Sequence, residues 1–122
     1  MYENHILNKS GTQSVGFRGE EIAKASDRDT NEKAKFEWDS VRVFRIDPEW
    51  AKQMEEDALQ RGKKIHVAPY WVGLCKGTLW ATKHSRFKIL YAETVTDALA
   101  FVQPKFRDVV QEQLRLTTPV ES

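Results

Sequence analysis

Three histidines, His5, His66 and His84, and one cysteine, Cys75, are the side chains of this 122-residue chain best suited to acid–base or covalent chemistry. His66 and His84, with Glu93 or Asp97, have the chemistry of a general acid and base acting on a phosphodiester. A Cys–His nucleophile would need Cys75 to meet a histidine in space. Cys75 follows Leu74 in an apolar stretch and reads instead as a small buried residue. Zinc calls for paired ligands such as Cys-x-x-Cys or His-x-x-x-His, and neither occurs. Gly16-Phe17-Arg18-Gly19 lacks the Gly-Lys-Ser/Thr ending of a phosphate loop. The sequence therefore assigns no catalytic residue, metal or cofactor. It points to binding, with a two-histidine nuclease as the enzymatic alternative.

The binding signal lies in the charge distribution. Net charge is +1. Residues 1–60 carry nine Lys and Arg against thirteen Asp and Glu, whereas residues 61–122 carry ten against five. From Arg61 to Lys88 there are seven cations and no acid: Arg61, Lys63, Lys64, Lys76, Lys83, Arg86 and Lys88. His66, Tyr70, Trp71, Trp80, His84 and Phe87 are interleaved with them. Cations attract phosphates and release counterions, and aromatic faces stack on unpaired bases. Lys63, Lys64, His66, Tyr70, Trp71, Lys76, Trp80, Lys83, His84, Arg86 and Lys88 thus form the expected nucleic-acid contact set. The acidic helix containing Glu55, Glu56 and Asp57 would face away. The alternative is a protein–protein interaction domain of the inhibitor, adaptor or immunity type. There exposed aromatics such as Trp38, Trp71 or Tyr70 serve as anchors; if the cations are instead an ordinary solvated face, Trp71 and Trp80 fill the core.

The elements that must position these residues follow from pattern. The first fourteen residues read as a polar arm, residues 15–25 as an irregular strand, and residues 41–46 as a half-buried strand with a bulge or turn near Asp39-Ser40. Asp47-Pro48 starts a helix that Gly62 stops. Trp50, Met54 and Ala58 form its apolar stripe. Three strands are expected at 64–72, 78–83 and 86–92, with turns at Gly73–Gly77 and His84-Ser85. Thr94-Val95-Thr96-Asp97 caps a last helix over 95–115, interrupted at Pro104. Residues 117–122 form a short tail. The expected class is α+β: one domain over 15–116, a small antiparallel sheet of three to five strands, and two helices on one face, in the order β(β)-α-β-β-β-α. Trp50, Met54, Leu99, Val102 and Phe106 would be buried together.

The helix–strand–strand–strand–helix order over 48–114 is similar to that of double-stranded-RNA-binding domains. Those open their last helix on a Lys-Lys-x-Ala-Lys-like cluster, where this chain has Thr94-Val95-Thr96-Asp97-Ala98. The resemblance is one of order alone and implies no membership.

A lone cysteine fits a reducing compartment. With no apolar leader or spanning stretch in the sequence, a cytoplasmic setting without membrane contact is the expectation. If the basic face is continuous, glutamates at Lys63, Lys83 and Lys88 together should abolish oligonucleotide binding in a fluorescence titration and leave the fold intact.

Overall fold

The computed structural model describes residues 1–8, 14–27, 37–78 and 86–117. Five strands form one antiparallel sheet in sequence order: β1 (Glu3–Asn8), β2 (Ser14–Ser26), β3 (Glu37–Ile46), β4 (Tyr70–Thr78) and β5 (Arg86–Ala92). Helix α1 (Pro48–Gln60) lies between β3 and β4. Helix α2 (Val95–Phe101), a 3-10 turn (Pro104–Phe106) and helix α3 (Arg107–Thr117) follow β5. No helix among the described residues is long and apolar enough to cross a membrane.

The α+β class and the small antiparallel sheet match the reading from sequence, and both helix starts fall where it places them. Asp47 caps α1, its Oδ1 accepting the Glu49 N–H at 3.0 Å. Thr94 caps α2, its Oγ1 accepting the Asp97 N–H at 3.0 Å. Pro104 cannot continue the 4-residue hydrogen-bond ladder, so the last helical region divides there.

Two strand expectations need correction. Residues 3–8 of the expected arm pair with β2, and Leu7 is buried. The expected strand at 64–72 and its turn at Gly73 give way to a single strand, β4, that runs through Gly73 and Gly77. Gly73 lies in close contact with the Phe87 ring of β5, 3.1 Å from where a Cβ would stand. Its glycine serves that close approach and does not turn the chain. The strand expected at 78–83 falls almost wholly outside the described residues.

β3 explains the remaining differences. Its Val41 and Val43 face one side of the sheet with Val72, Leu90 and Ala92, under Ala98, Val102, Phe106, Val110 and Leu114 of α2, the 3-10 turn and α3. Its Phe44 and Ile46 face the other side with Leu7, Phe17, Trp71 and Ile89, against Trp50 and Ala51 of α1. The helices therefore cover both faces, not one. Trp50 belongs to a different cluster from Leu99, Val102 and Phe106, which corrects the shared burial expected for them. A strand buried on both faces loses the apolar–polar alternation. That loss is what looks like a phase shift near Asp39-Ser40, where β3 keeps continuous register with β4. The bulge is in β2 instead: its register with β3 shifts between Glu21, opposite Phe44, and Ala23, opposite Val43. The extra residue lets both Ile22 and Ala23 enter the α2–α3 core.

Beyond β1, the outer edge of β2 is covered by α3. The Gln113 carboxamide accepts the Lys24 N–H at 2.9 Å and donates to the Lys24 carbonyl at 2.7 Å, doing what a strand neighbour would do.

Two substitutions test this packing by urea unfolding. Phe44→Ala should cost about 3–5 kcal/mol, since the ring is fully enclosed. Gly19→Ala should also destabilise, because its Cβ would stand 2.7 Å from the Arg45 carbonyl oxygen. Wild-type stability in either variant would contradict the two-sided packing of β3.

Candidate functional site

The end of α1 determines where the following segment runs. Gly62 adopts φ +77°, a conformation that glycine takes without Cβ strain. Its N–H donates to the Leu59 carbonyl, and the Lys63 N–H donates to the Ala58 carbonyl at 2.8 Å. This pair of bonds closes the helix as a Schellman motif and reverses the chain. Residues 63–67 then return alongside α1, and the Val67 N–H donates to Glu55 Oε2 at 3.0 Å.

Between helix and returning segment lies an open groove of about 590 Å³. Lys52, Glu55, Glu56 and Leu59 form one wall, spaced i, i+3, i+4 and i+7 along one side of α1. Lys64, Ile65 and His66 form the other. Leu59 is 66% and Ile65 45% exposed, while Trp50 and Ala51, elsewhere on the helix, pack against the sheet.

His66 sits between two carboxylates. Its Nε2 is 2.5 Å from Glu93 Oε1, and its Nδ1 is 3.4 Å from Glu55 Oε2. Glu93 follows β5, so one imidazole links α1, the returning segment and the turn before α2. Only the doubly protonated ring can donate toward both carboxylates. The groove lining offers proton donors and carboxylates, but no hydroxyl or thiol among the described residues. Of the acid–base pairs suggested by the sequence, His66 with Glu93 is brought together. His84 lies outside the described residues. No group of three His, Cys, Asp or Glu that could hold a metal occurs among the described residues.

The expected nucleic-acid contact set is divided by the topology. Lys63, Lys64 and His66 are exposed beside α1. Lys76 and Lys88 are exposed at the opposite end of the sheet. Alternation from Leu74 and Leu90 places both on the α2–α3 face. Arg86 is the cross-strand partner of Lys76 in the register. The six steps from Tyr70 to Lys76 span about 20 Å of strand, beyond the ~8–10 Å screening length. Trp80, Lys83 and His84 lie outside the described residues. Trp71 is 6% exposed and enclosed by Phe17, Trp50 and Tyr91, at ring-centroid distances of 4.7, 6.2 and 5.2 Å. It is a core residue with no face left for a base. Tyr70 is half-buried against the α2–α3 core. The acidic helix does not face away, since Glu55 contacts His66 itself. Leu59 and Ile65 were not singled out by sequence. The available signal was an aliphatic residue at position 59, outside the Trp50–Met54–Ala58 stripe.

The far end also carries its own neutralising charges. Lys105 Nζ bonds Asp27 Oδ2 at 2.7 Å and contacts Asp39 Oδ2. Asp27 Oδ1 accepts the Asp39 N–H at 2.7 Å. Burial opposes ionisation of Asp27, but the Lys105 ammonium and the Asp39 amide outweigh it and hold its carboxyl below the usual range. The same two aspartates raise Lys105 above its ordinary value.

Compared with known proteins, the chain matches no family model, no curated protein and no solved structure. The class rests on the fold itself: a five-stranded antiparallel meander with helices on both faces and an open groove beside α1.

The Lys105 network predicts a pH dependence. The Asp27 contribution is present above the ordinary carboxylate range and is lost as pH falls through the lowered value. The Lys105 contribution is present below the ordinary lysine value and is lost as pH rises through the raised one. Urea unfolding of Lys105→Met should show less loss of stability on acidification from pH 7 to pH 3 than wild type does. Identical acid profiles would contradict the assignment.

Proposed function

We propose that this protein is a non-enzymatic binding module that docks a segment of a protein partner in the α1 groove. The observation that carries this reading is the exposure of Leu59 and Ile65 on the two walls of one groove. Single exposed aliphatics are ordinary, but a pair lining a shared concavity gives an apolar contact that a partner can bury. Charged and polar groups around the groove would orient that partner more than they hold it. The enclosure of Trp71 and the separation of the cations weigh against the stacking surface that unpaired nucleic acid would use.

A second reading rests on Lys76 and Lys88, exposed at the far end beside the register position of Arg86. There the protein would contact phosphate groups without stacking on bases. The two readings separate by salt dependence. Phosphate contact makes log K fall steeply with log salt, whereas docking on Leu59 and Ile65 depends weakly on it.

The test compares wild type with a Leu59→Glu, Ile65→Glu double variant in quantitative cross-linking against proteins of the source cell. Both positions are exposed, so circular dichroism should be unchanged. The expected result is a partner retained by wild type and lost by the variant, with no oligonucleotide bound tighter than ~100 μM at physiological salt. A partner set unaffected by the double variant would overturn the reading. So would tight, salt-sensitive binding of DNA or RNA.

A further inference from the structure

We infer that the segment docking in the α1 groove carries an arginine next to an apolar residue, and that His66 is the internal occupant of the seat this arginine takes. The inference rests on the groove reading above and names the chemistry of its partner.

The seat is made by Glu55 and Glu93, which approach one imidazole from two elements at its two ring nitrogens. Glu55 is oriented by the backbone, since its Oε2 also accepts the Val67 N–H. What lies between the carboxylates is a planar ring whose two nitrogens, on different edges, each face one of them. A guanidinium has the same planarity, is always charged, and presents more donors in a rigid fork. His66 is also displaceable. Its side chain is 66% exposed and that of Glu93 59%, and ion pairs so exposed hold weakly. A side-chain rotation into solvent would vacate the seat at small cost.

The surrounding residues restrict the partner further. Leu59 and Ile65 offer apolar contact in the same groove, which favours an aliphatic neighbour for the arginine. Lys52 and Lys64 also line it. They disfavour a run of cations, so the fit is to one basic side chain flanked by apolar ones and not to a polybasic tract. An acidic segment would meet Glu55 and Glu56 in the groove lining, with Glu93 behind His66, and be repelled.

The experiment titrates the isotope-labelled full chain with acetyl-Leu-Arg-Leu-amide and with versions carrying Lys, Gln or Glu at the centre, read by amide shifts. Shifts should concentrate in α1 and residues 63–67, in the affinity order Arg, Lys, Gln, with Glu weakest. His66→Ala removes the internal competitor and should bind the arginine peptide about two- to fivefold more tightly. Glu55→Gln with Glu93→Gln should weaken it about five- to twentyfold. Unchanged amide spectra away from the groove would show that the variants fold. Equal binding of the Arg and Gln peptides, or weaker binding by His66→Ala, would overturn the inference. If peptide charge has no effect while Leu59→Glu with Ile65→Glu still loses the natural partner, the groove reading stands and this inference alone fails. If neither charge nor the two aliphatics matter, both fail.

Discussion

The structure depends on the burial of β3 from both sides. Val41, Val43 and Phe44 are 0% exposed and Ile46 2%, so both faces of the central strand carry enclosed apolar side chains. Each face must then find its own cover. The α2–α3 region supplies one side through Ala98, Val102, Phe106, Val110 and Leu114. On the other, α1 supplies Trp50 and Ala51 to a cluster rich in aromatic rings. A chain of this size can enclose two thin cores in place of one thick one, because the sheet between them contributes side chains to both.

The groove is a consequence of that arrangement. Because α1 is held through Trp50, Ala51 and the Asp47 junction, its remaining surface is left to form a wall. Asp47 secures the start of the helix: besides capping it, the carboxylate takes the Arg18 guanidinium at 3.0 Å, and its backbone N–H donates to the Arg18 carbonyl. The Schellman closure at Gly62 then sends the chain back along the outer side. Residues 63–67 have no strand partner among the described elements, and contacts to Glu55 and Glu93 hold this segment in place. A site held by exposed polar contacts between rigid elements is suited to changing partners, because little packing has to be undone.

The opposite end of the sheet is organised differently. There the α2–α3 connection is pinned to the β2 and β3 ends by Lys105 with Asp27 and Asp39, and Gln103 donates to the Ser40 carbonyl at 3.3 Å. This pinning fixes the helices over the sheet and places a cation among acids. The local charge at that end is therefore less positive than the run of sequence from 61 to 88 suggests.

By itself the sequence determined what depends on neighbours along the chain. Asp47-Pro48, Gly62, Thr94 and Pro104 mark helix boundaries because capping, positive φ and the missing proline N–H act within a few residues. The interleaved β-branched and charged residues of 41–46 marked a strand for the same reason. Tertiary structure decided what depends on which faces meet. Period-2 alternation cannot reveal that Val43 and Phe44 are buried on opposite sides, so the two-sided core and the place of α1 were not legible. Nor could linear clustering reveal that Lys64 and Lys76 are separated by the length of β4, because strand pairing converts sequence proximity into distance. His66 and Glu93 are 27 residues apart in the chain, and they meet because the end of β5 returns to the beginning of β4.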